Sequence, residues 1–265
     1  MARKTSITPP IEMYLDDGRD RRFWRGWCRG GSRYVQTGET GTSGRTAAHG
    51  FDSPKAAASR LQEMAATRRD EGFREVDLST LPLFRRRGRR AATDAQIARL
   101  QNAVGYDLPP DYVAFLKSAN GGLLNPGYIE VPDPPYGMGV WGASELPGLH
   151  GDATDRESLW YWLKHVRPLL PDGVLPIGGD GDTFGIWLGQ PNAVYKFDHE
   201  APSGEETETG ECLWTWDDAV VVAQSFREFL GRIAAYATNP DAYAPSLDDS
   251  WVRWTGEIPA VTPPK

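Results

Sequence analysis

The sequence predicts an α+β protein in two units: a small antiparallel sheet with one helix, then a larger unit whose central antiparallel sheet is flanked by helices. Three observations predict it. Residues 11–52 are short aromatic and β-branched segments separated by Gly- and Asp-rich turns, the pattern of a meander. Residues 93–238 open and close on helical periodicity and carry strand-like segments between. Charge also divides the chain. Residues 1–90 hold 19 Lys and Arg against 11 Asp and Glu, a balance of +8, whereas residues 91–265 hold 10 against 25, a balance of −15. A basic front and an acidic back read as parts with different partners.

In the front unit, residues 1–76, the segments IEMYL, RFWRGWCRG, SRYVQTG and RTAAHGFD read as strands. Within the second, Phe23, Arg25, Trp27 and Arg29 share one face, and Trp24, Gly26 and Cys28 share the other. A helix follows: Ser53 caps it, Pro54 fits its first turn, and Ala57, Leu61, Met64 and Ala65 form its apolar stripe before Gly72 stops it. FREV then starts a short strand.

Residues 77–92 include five arginines, at 85, 86, 87, 89 and 90. Their mutual repulsion predicts a solvated linker; the sharper reading is an arm that contacts phosphates. The back unit, residues 93–238, opens with a helix capped by Thr93 and carrying Ile97, Leu100 and Val104 at helical spacing. A second helix starts at Pro109–Pro110, turns Tyr112, Phe115 and Leu116 inward and ends at Gly121–Gly122. Strands are expected in GYIEV, GVWG, GVLPIG, TFGIWLG, AVYKFDHE and CLWTW, with a helix in ATDRESLWYWLKHV and a last helix from Ala219, capped by Asp217 or Asp218. Residues 239–265 read as a Pro-containing tail whose Trp251 and Trp254 dock against something.

The chemistry that the sequence excludes is broad. Cys28 and Cys212 form neither a disulfide framework nor a zinc spacing, and read as buried thiols. The four histidines have no ligand partner at metal spacing. No Gly-x-Ser-x-Gly, Walker or dinucleotide fingerprint is present. GGDGDTFG, from Gly178 to Gly185, has Asp180 and Asp182 as possible oxygen ligands but lacks the other carboxylates of a calcium loop, so it reads as a tight turn. No metal and no cofactor is therefore expected. There is no apolar run long enough for a signal peptide or a membrane span, and a cytoplasmic protein is expected.

FWRGW, YV followed by GTSG, FDSPKAAASRL and GFREV, in that order over residues 11–76, resemble a WGR domain. The resemblance implies binding of DNA ends or neighbouring domains, as in poly(ADP-ribose) polymerases. Registered on Gly41–Thr42–Ser43–Gly44, the namesake triplet falls on Thr37, Gly38 and Glu39, so Thr37 stands where the family stacks a Trp and Glu39 where it has an Arg. Base stacking contributes about 1–3 kcal/mol per base, and its loss places nucleic-acid binding below protein binding. ATDAQIARLQNAVGYDLPPDYVAFLKSANGG, then LPIGGDGDTFGIWLG, VYKFDHE and SFREFL, resemble the SUKH superfamily of the Smi/Knr type over residues 93–236. That resemblance implies a non-enzymatic immunity protein that binds a cognate toxin of the polymorphic or contact-dependent kind.

The expected toxin-binding residues are Tyr136, Trp141, Asp180, Asp182, Asp198, Glu200, Glu205, Glu206 and Glu208, an acidic set suited to a basic toxin such as a nuclease. The alternative is a nucleic-acid or DNA-end module acting through Arg25, Arg29, Arg33, Arg45, Arg85, Arg86 and Arg87.

Overall fold

A computed structural model of the chain describes residues 7–16, 21–39, 44–133, 137–189, 192–199, 204, 206–207, 210, 213–239, 243 and 246–259. Two compact units divide between Val76 and Asp77, and the second ends at Pro259. Among the described residues no helix is long and apolar enough to cross a membrane.

The first unit contains β1 (Ile7–Asp16), β2 (Arg21–Arg29), β3 (Ser32–Glu39), β4 (Arg45–Gly50), α1 (Pro54–Asp70) and β5 (Arg74–Glu75). The strands form one antiparallel sheet in the order β4-β3-β2-β1-β5. Strand alternation turns Trp24 and Cys28 onto Ala57, Leu61 and Ala65 of α1, with Met13, Val35 and Phe73 completing the core. Burial raises the Cys28 thiol pKa, in keeping with a packed, unreactive cysteine. Helix α1 starts as expected: the Ser53 hydroxyl accepts from the Ala56 amide at 3.1 Å.

The four front-unit arginines do not share a side. Arg33 lies opposite Cys28 and Arg45 opposite Thr37, which itself faces Trp24, so both lie on the α1 side of the sheet. Arg25 and Arg29 lie on the other side with Trp27, whose ring stacks on Tyr34 at 5.3 Å. Two further interactions occupy these cations: Arg25 pairs with Glu12 at 2.9 Å, and Arg33 lies 5.5 Å over the Phe51 ring. Residues 40–43 of the signature turn lie outside the described residues.

The second unit contains β6 (Leu83–Arg86), α2 (Asp94–Val104), α3 (Pro110–Ser118), β7 (Gly122–Leu124), β8 (Tyr128–Asp133), β9 (Gly137–Gly142), β10 (Glu145–Leu146), α4 (Leu159–His165), β11 (Val174–Asp180), β12 (Asp182–Trp187), β13 (Val194–Phe197), β14 (Ala219–Ala223), α5 (Phe226–Ala237) and β15 (Trp251–Arg253). Eight strands make a sheet in the order β14-β13-β12-β11-β10-β7-β6-β15, and β8 and β9 form a separate hairpin. One face buries Leu175, Phe184, Ile186 and Val194 with Leu100 of α2, Phe115 of α3 and Phe229 of α5. The opposite face carries a smaller cluster of Leu170, Val174 and Phe197.

The arginine run is built into the second unit, with Arg85 and Arg86 in strand β6, and is not a solvated linker; this corrects the sequence reading. Leu83 is fully buried, β6 pairs with both β7 and β15, and four of the five arginines have an acceptor within the unit, which offsets the expected repulsion. Arg85 reaches the carbonyls of Ser118 (3.4 Å) and Ala119 (3.2 Å), at the C-terminal end of α3 where carbonyls lack helical partners. Arg86 pairs with Glu157 at 2.8 Å and lies 4.1 Å over the Trp251 ring. Arg89 also binds Glu157, and Arg87 donates to the Asp249 carbonyl at 3.2 Å. Moving Arg85–Arg90 into the second unit rescales the charge asymmetry. Residues 1–76 carry 14 Lys and Arg against 10 Asp and Glu, and residues 77–259 carry 14 against 26.

Two further expectations change. The tail docks on its own unit: β15 extends the sheet beside β6, the Trp254 amide donates to the Leu83 carbonyl at 2.8 Å, and Ile258 is buried. The last helix starts seven residues later than expected, at Phe226. Val220–Val222 favour a strand, and Ser225, whose hydroxyl accepts from the Glu228 amide at 3.1 Å, is the cap in place of Asp217 or Asp218. Those aspartates lie in a short 3₁₀ turn, Trp216–Asp218, whose first residue ends the CLWTW segment that was expected to be a strand.

Glu157 gives the first test. Burial opposes its charge, but hydrogen bonds from Arg86 and Arg89 outweigh that and hold its carboxyl below the usual range. A carboxyl with a lowered folded pKa adds stability above its unfolded pKa, and this is lost as pH falls through the folded value. Glu157→Gln is therefore expected to cost about 1–3 kcal/mol at pH 7, read as the urea midpoint, with the gap from the parent closing below about pH 4.

Candidate functional site

Asp180, Asp182, Asp198 and Trp141 of the expected acidic set come together at the tip of the β11–β12 hairpin. The hairpin turns between Asp180 and Asp182 through Gly181. The preceding glycines are there because nothing else fits. Gly178 and Gly179 have φ of +133° and +154°, and a Cβ on either would lie 1.8 Å from a backbone oxygen, of Glu145 and Asp182 respectively. The expected tight turn is present at Gly181, which has φ of +87°, and the glycines before it allow a close approach of neighbouring backbone.

The tip is an ion network with a buried centre. Asp182 is 4% exposed. Its Oδ1 accepts from the His199 amide at 3.0 Å and meets His199 Nδ1 at 2.9 Å. Its Oδ2 lies 3.3 Å from the Lys196 ammonium, which is also 3.4 Å from Asp198 Oδ2. The same ammonium sits 3.0 Å from the centroid of the Trp141 ring. Ser144 holds Asp180 from the neighbouring loop at 3.4 Å, and the Trp214 indole donates to the Asp198 carbonyl at 2.6 Å.

One atom each of Asp182, Asp198 and His199 lies within 4.8 Å of the others, a spacing that a cation could occupy. Lys196 already stands between the two carboxylates and offsets part of their charge. A divalent ion would have to displace a buried ammonium from both. The arrangement serves the fold: Asp182 orients the imidazole, and Lys196 ties β13 to the hairpin tip and to Trp141 of β9.

The fold therefore brings together four of the residues singled out in the sequence, but not all of them are open to a partner. Asp182 is too buried to meet a partner, and the Trp141 ring is covered by Lys196. Asp198 is partly exposed, and Asp180 and Glu206 are exposed. Tyr136, Glu200, Glu205 and Glu208 lie outside the described residues. Lys196 and His199 were missed as members of the cluster. The signal for Lys196 was the period-2 spacing in VYKFDHE, which puts it on the same side as Asp198, just past the end of β13. Arg85, Arg86 and Arg87, offered as an anion arm, are engaged within the second unit.

The model for the SMI1 / KNR4 family (SUKH-1) matches residues 91–232, more than half of the chain. The match spans α2 to α5 and leaves out β6 and β15, the two strands that extend the sheet beyond β7. No curated protein matches the chain. A solved structure similar to part of it is a Bacteroides fragilis protein, 26% identical over 25% of this chain and 19% of that one, with a TM-score of 0.25. This chain thus spans less than a fifth of that protein.

Removing one member of a buried ion pair leaves the other uncompensated, at about 3–5 kcal/mol. Lys196→Met is expected to lower the stability of the second unit by that amount in urea unfolding. Adding Asp182→Asn to it is expected to restore a large part of the loss, because the stranded charge is then gone.

Proposed function

The chain belongs to the SMI1 / KNR4 family (SUKH-1), and from that premise we propose that it is a non-enzymatic immunity protein of the cytoplasm. Its second unit would bind a cognate bacterial toxin of the polymorphic or contact-dependent kind and occlude its active site. The observation that carries this reading is the charge of the second unit, which contains the family match. Residues 77–259 hold 26 Asp and Glu against 14 Lys and Arg, and five of those 14, Arg85–Arg90, lie in a segment whose side chains are largely engaged internally. An acidic protein face complements a basic active-site cleft, as in an enzyme that acts on nucleic acid, and opposite charge accelerates association.

We infer that the first unit is a WGR-like module that extends the toxin-binding surface or holds a second partner. Support comes from its four-strand meander, single helix and short closing strand, in the order that the resemblance implies. The nucleic-acid reading has less to stand on. Its arginines divide between two faces of one sheet and a strand of the other unit, and Thr37 and Glu39 supply neither a stacking ring nor a cation.

The test is co-expression with the toxin domain encoded immediately upstream. The two proteins are expected to co-elute in size-exclusion chromatography and the cells to survive induction of the toxin. The association rate is expected to fall as salt rises from 50 to 500 mM, over which the Debye length shrinks from roughly 14 to 4 Å. Absence of a neighbouring toxin gene, or separate elution, sinks the proposal.

A further inference from the structure

Large hydrophobic side chains are seldom left exposed in a cluster without a partner. Four are exposed among the described residues: Tyr106 (43%), Val140 (50%), Trp216 (44%) and Tyr243 (69%). Trp216 lies on the sheet face opposite the helices, and Tyr106 approaches the edge of the same patch. Trp216 packs edge-to-face on Trp187 at 5.7 Å and on Tyr195 at 5.2 Å. Tyr106 reaches the same patch from the loop after α2: a side chain on Gly173 would lie 3.4 Å from its hydroxyl and 3.6 Å from Trp187 Nε1.

Trp216 is held in place by more than its aromatic neighbours. It opens the 3₁₀ turn that Thr215 caps, with the Thr215 amide donating to Asp218 at 2.6 Å and the Thr215 hydroxyl accepting from the Asp217 amide at 3.2 Å. A tryptophan whose backbone and ring are already fixed loses little entropy on binding. Exposed carboxylates neighbour three positions of the patch in sequence. Asp107 follows Tyr106, Asp172 precedes Gly173, and Asp217 follows Trp216. The nearby cation, Arg167, is engaged on the carbonyls of Ala103 (3.2 Å) and Val104 (3.0 Å) at the end of α2. Aromatic anchors within a charged rim are the composition of a binding hot spot.

We propose that the face bearing Tyr106, Trp187, Tyr195 and Trp216, rimmed by Asp107, Asp172 and Asp217, is the docking surface for the basic toxin. Arg or Lys side chains of the toxin pack over Trp216 while their charges meet the rim carboxylates. The assignment rests on the immunity reading and deepens it. It moves the contact from the hairpin tip, whose central carboxylate is neutralised, to an adjoining face whose carboxylates remain exposed.

The experiment is isothermal titration of the full chain with the toxin domain encoded immediately upstream, beside stopped-flow association. Trp216→Ala is expected to weaken binding at least about 30-fold, the range of a hot-spot residue. Asp217→Asn is expected to slow association and flatten its salt dependence, with dissociation changed less than about twofold. Val140→Thr, on β9, is expected to bind as the parent does. Trp216→Ala binding within about threefold of the parent, with unchanged circular dichroism and unfolding midpoint, overturns the assignment and leaves the immunity reading intact. Should Trp216→Ala fail to fold, Asp217→Arg on the exposed rim decides: binding lost supports the face, and binding unchanged overturns it. A parent chain that does not bind the domain overturns both.

Discussion

The second unit depends on one buried amide. Asn120 is 2% exposed, and its side chain joins two distant stretches of chain: Nδ2 donates to the Arg90 carbonyl at 2.9 Å, and Oδ1 accepts from the Leu149 amide at 2.7 Å. A buried amide is tolerated only when both ends are satisfied, so residues 90 and 149 have little freedom once Asn120 is placed. Its φ of +56° is a conformation that asparagine accepts more readily than most residues. The next residue, Gly121, has φ of +84°, and a Cβ there would lie 2.6 Å from the Gly148 nitrogen. Three stretches of backbone thus cross within contact distance, and the crossing sets where α3 ends, where β7 starts and how the loop before α4 lies.

From that crossing the use of charge follows. The unit is acidic, yet several of its carboxylates serve its own backbone. Asp111 caps α5 across the core, accepting from the Arg227 amide at 2.8 Å. Glu228 accepts from the Gln224 amide on the same cap, Glu157 gathers Arg86 and Arg89, and Asp182 holds Lys196 and His199. Each is a desolvated or partly desolvated charge that repays its burial only through several hydrogen bonds. Counting acidic residues therefore overstates the charge available to a partner. The carboxylates that count are the exposed ones, among them Asp107, Asp172 and Asp217 near the aromatic face.

Much of this was legible. The meander, α1 with its Ser53 cap, the α2 cap at Thr93 and the Asn-Gly-Gly stop are local signals, and local signals survive folding because the residues that set them are neighbours. What failed was every inference that needed a distant partner. Five clustered arginines read as a repelling linker because Ser118, Ala119, Glu157 and Asp249, which accept from four of them, lie 30 to 160 residues away. Val220–Val222 read as helix because the run joins the helical FREFLGRI without a break, and only the Ser225 cap marks the border. The site was legible by type and not by role. Asp182 and Trp141 were picked out, but a lysine between two aspartates is not visible in a sequence, nor is a ring beneath an ammonium.

The same logic explains why the aromatic face escaped notice. Trp187, Tyr195 and Trp216 each read as core by default, since Trp is mostly buried and the strands carrying it alternate. Alternation assigns two faces to a strand but does not say whether both are covered. Here the helices cover one face, and the loops carrying Leu170 and Trp214 cover only part of the other. The uncovered part is where the rings are packed on one another instead of on a helix. Rings braced in this way keep their positions when the face is bare, and so a sheet that needs no second layer of helices is left with a rigid aromatic surface between exposed carboxylates.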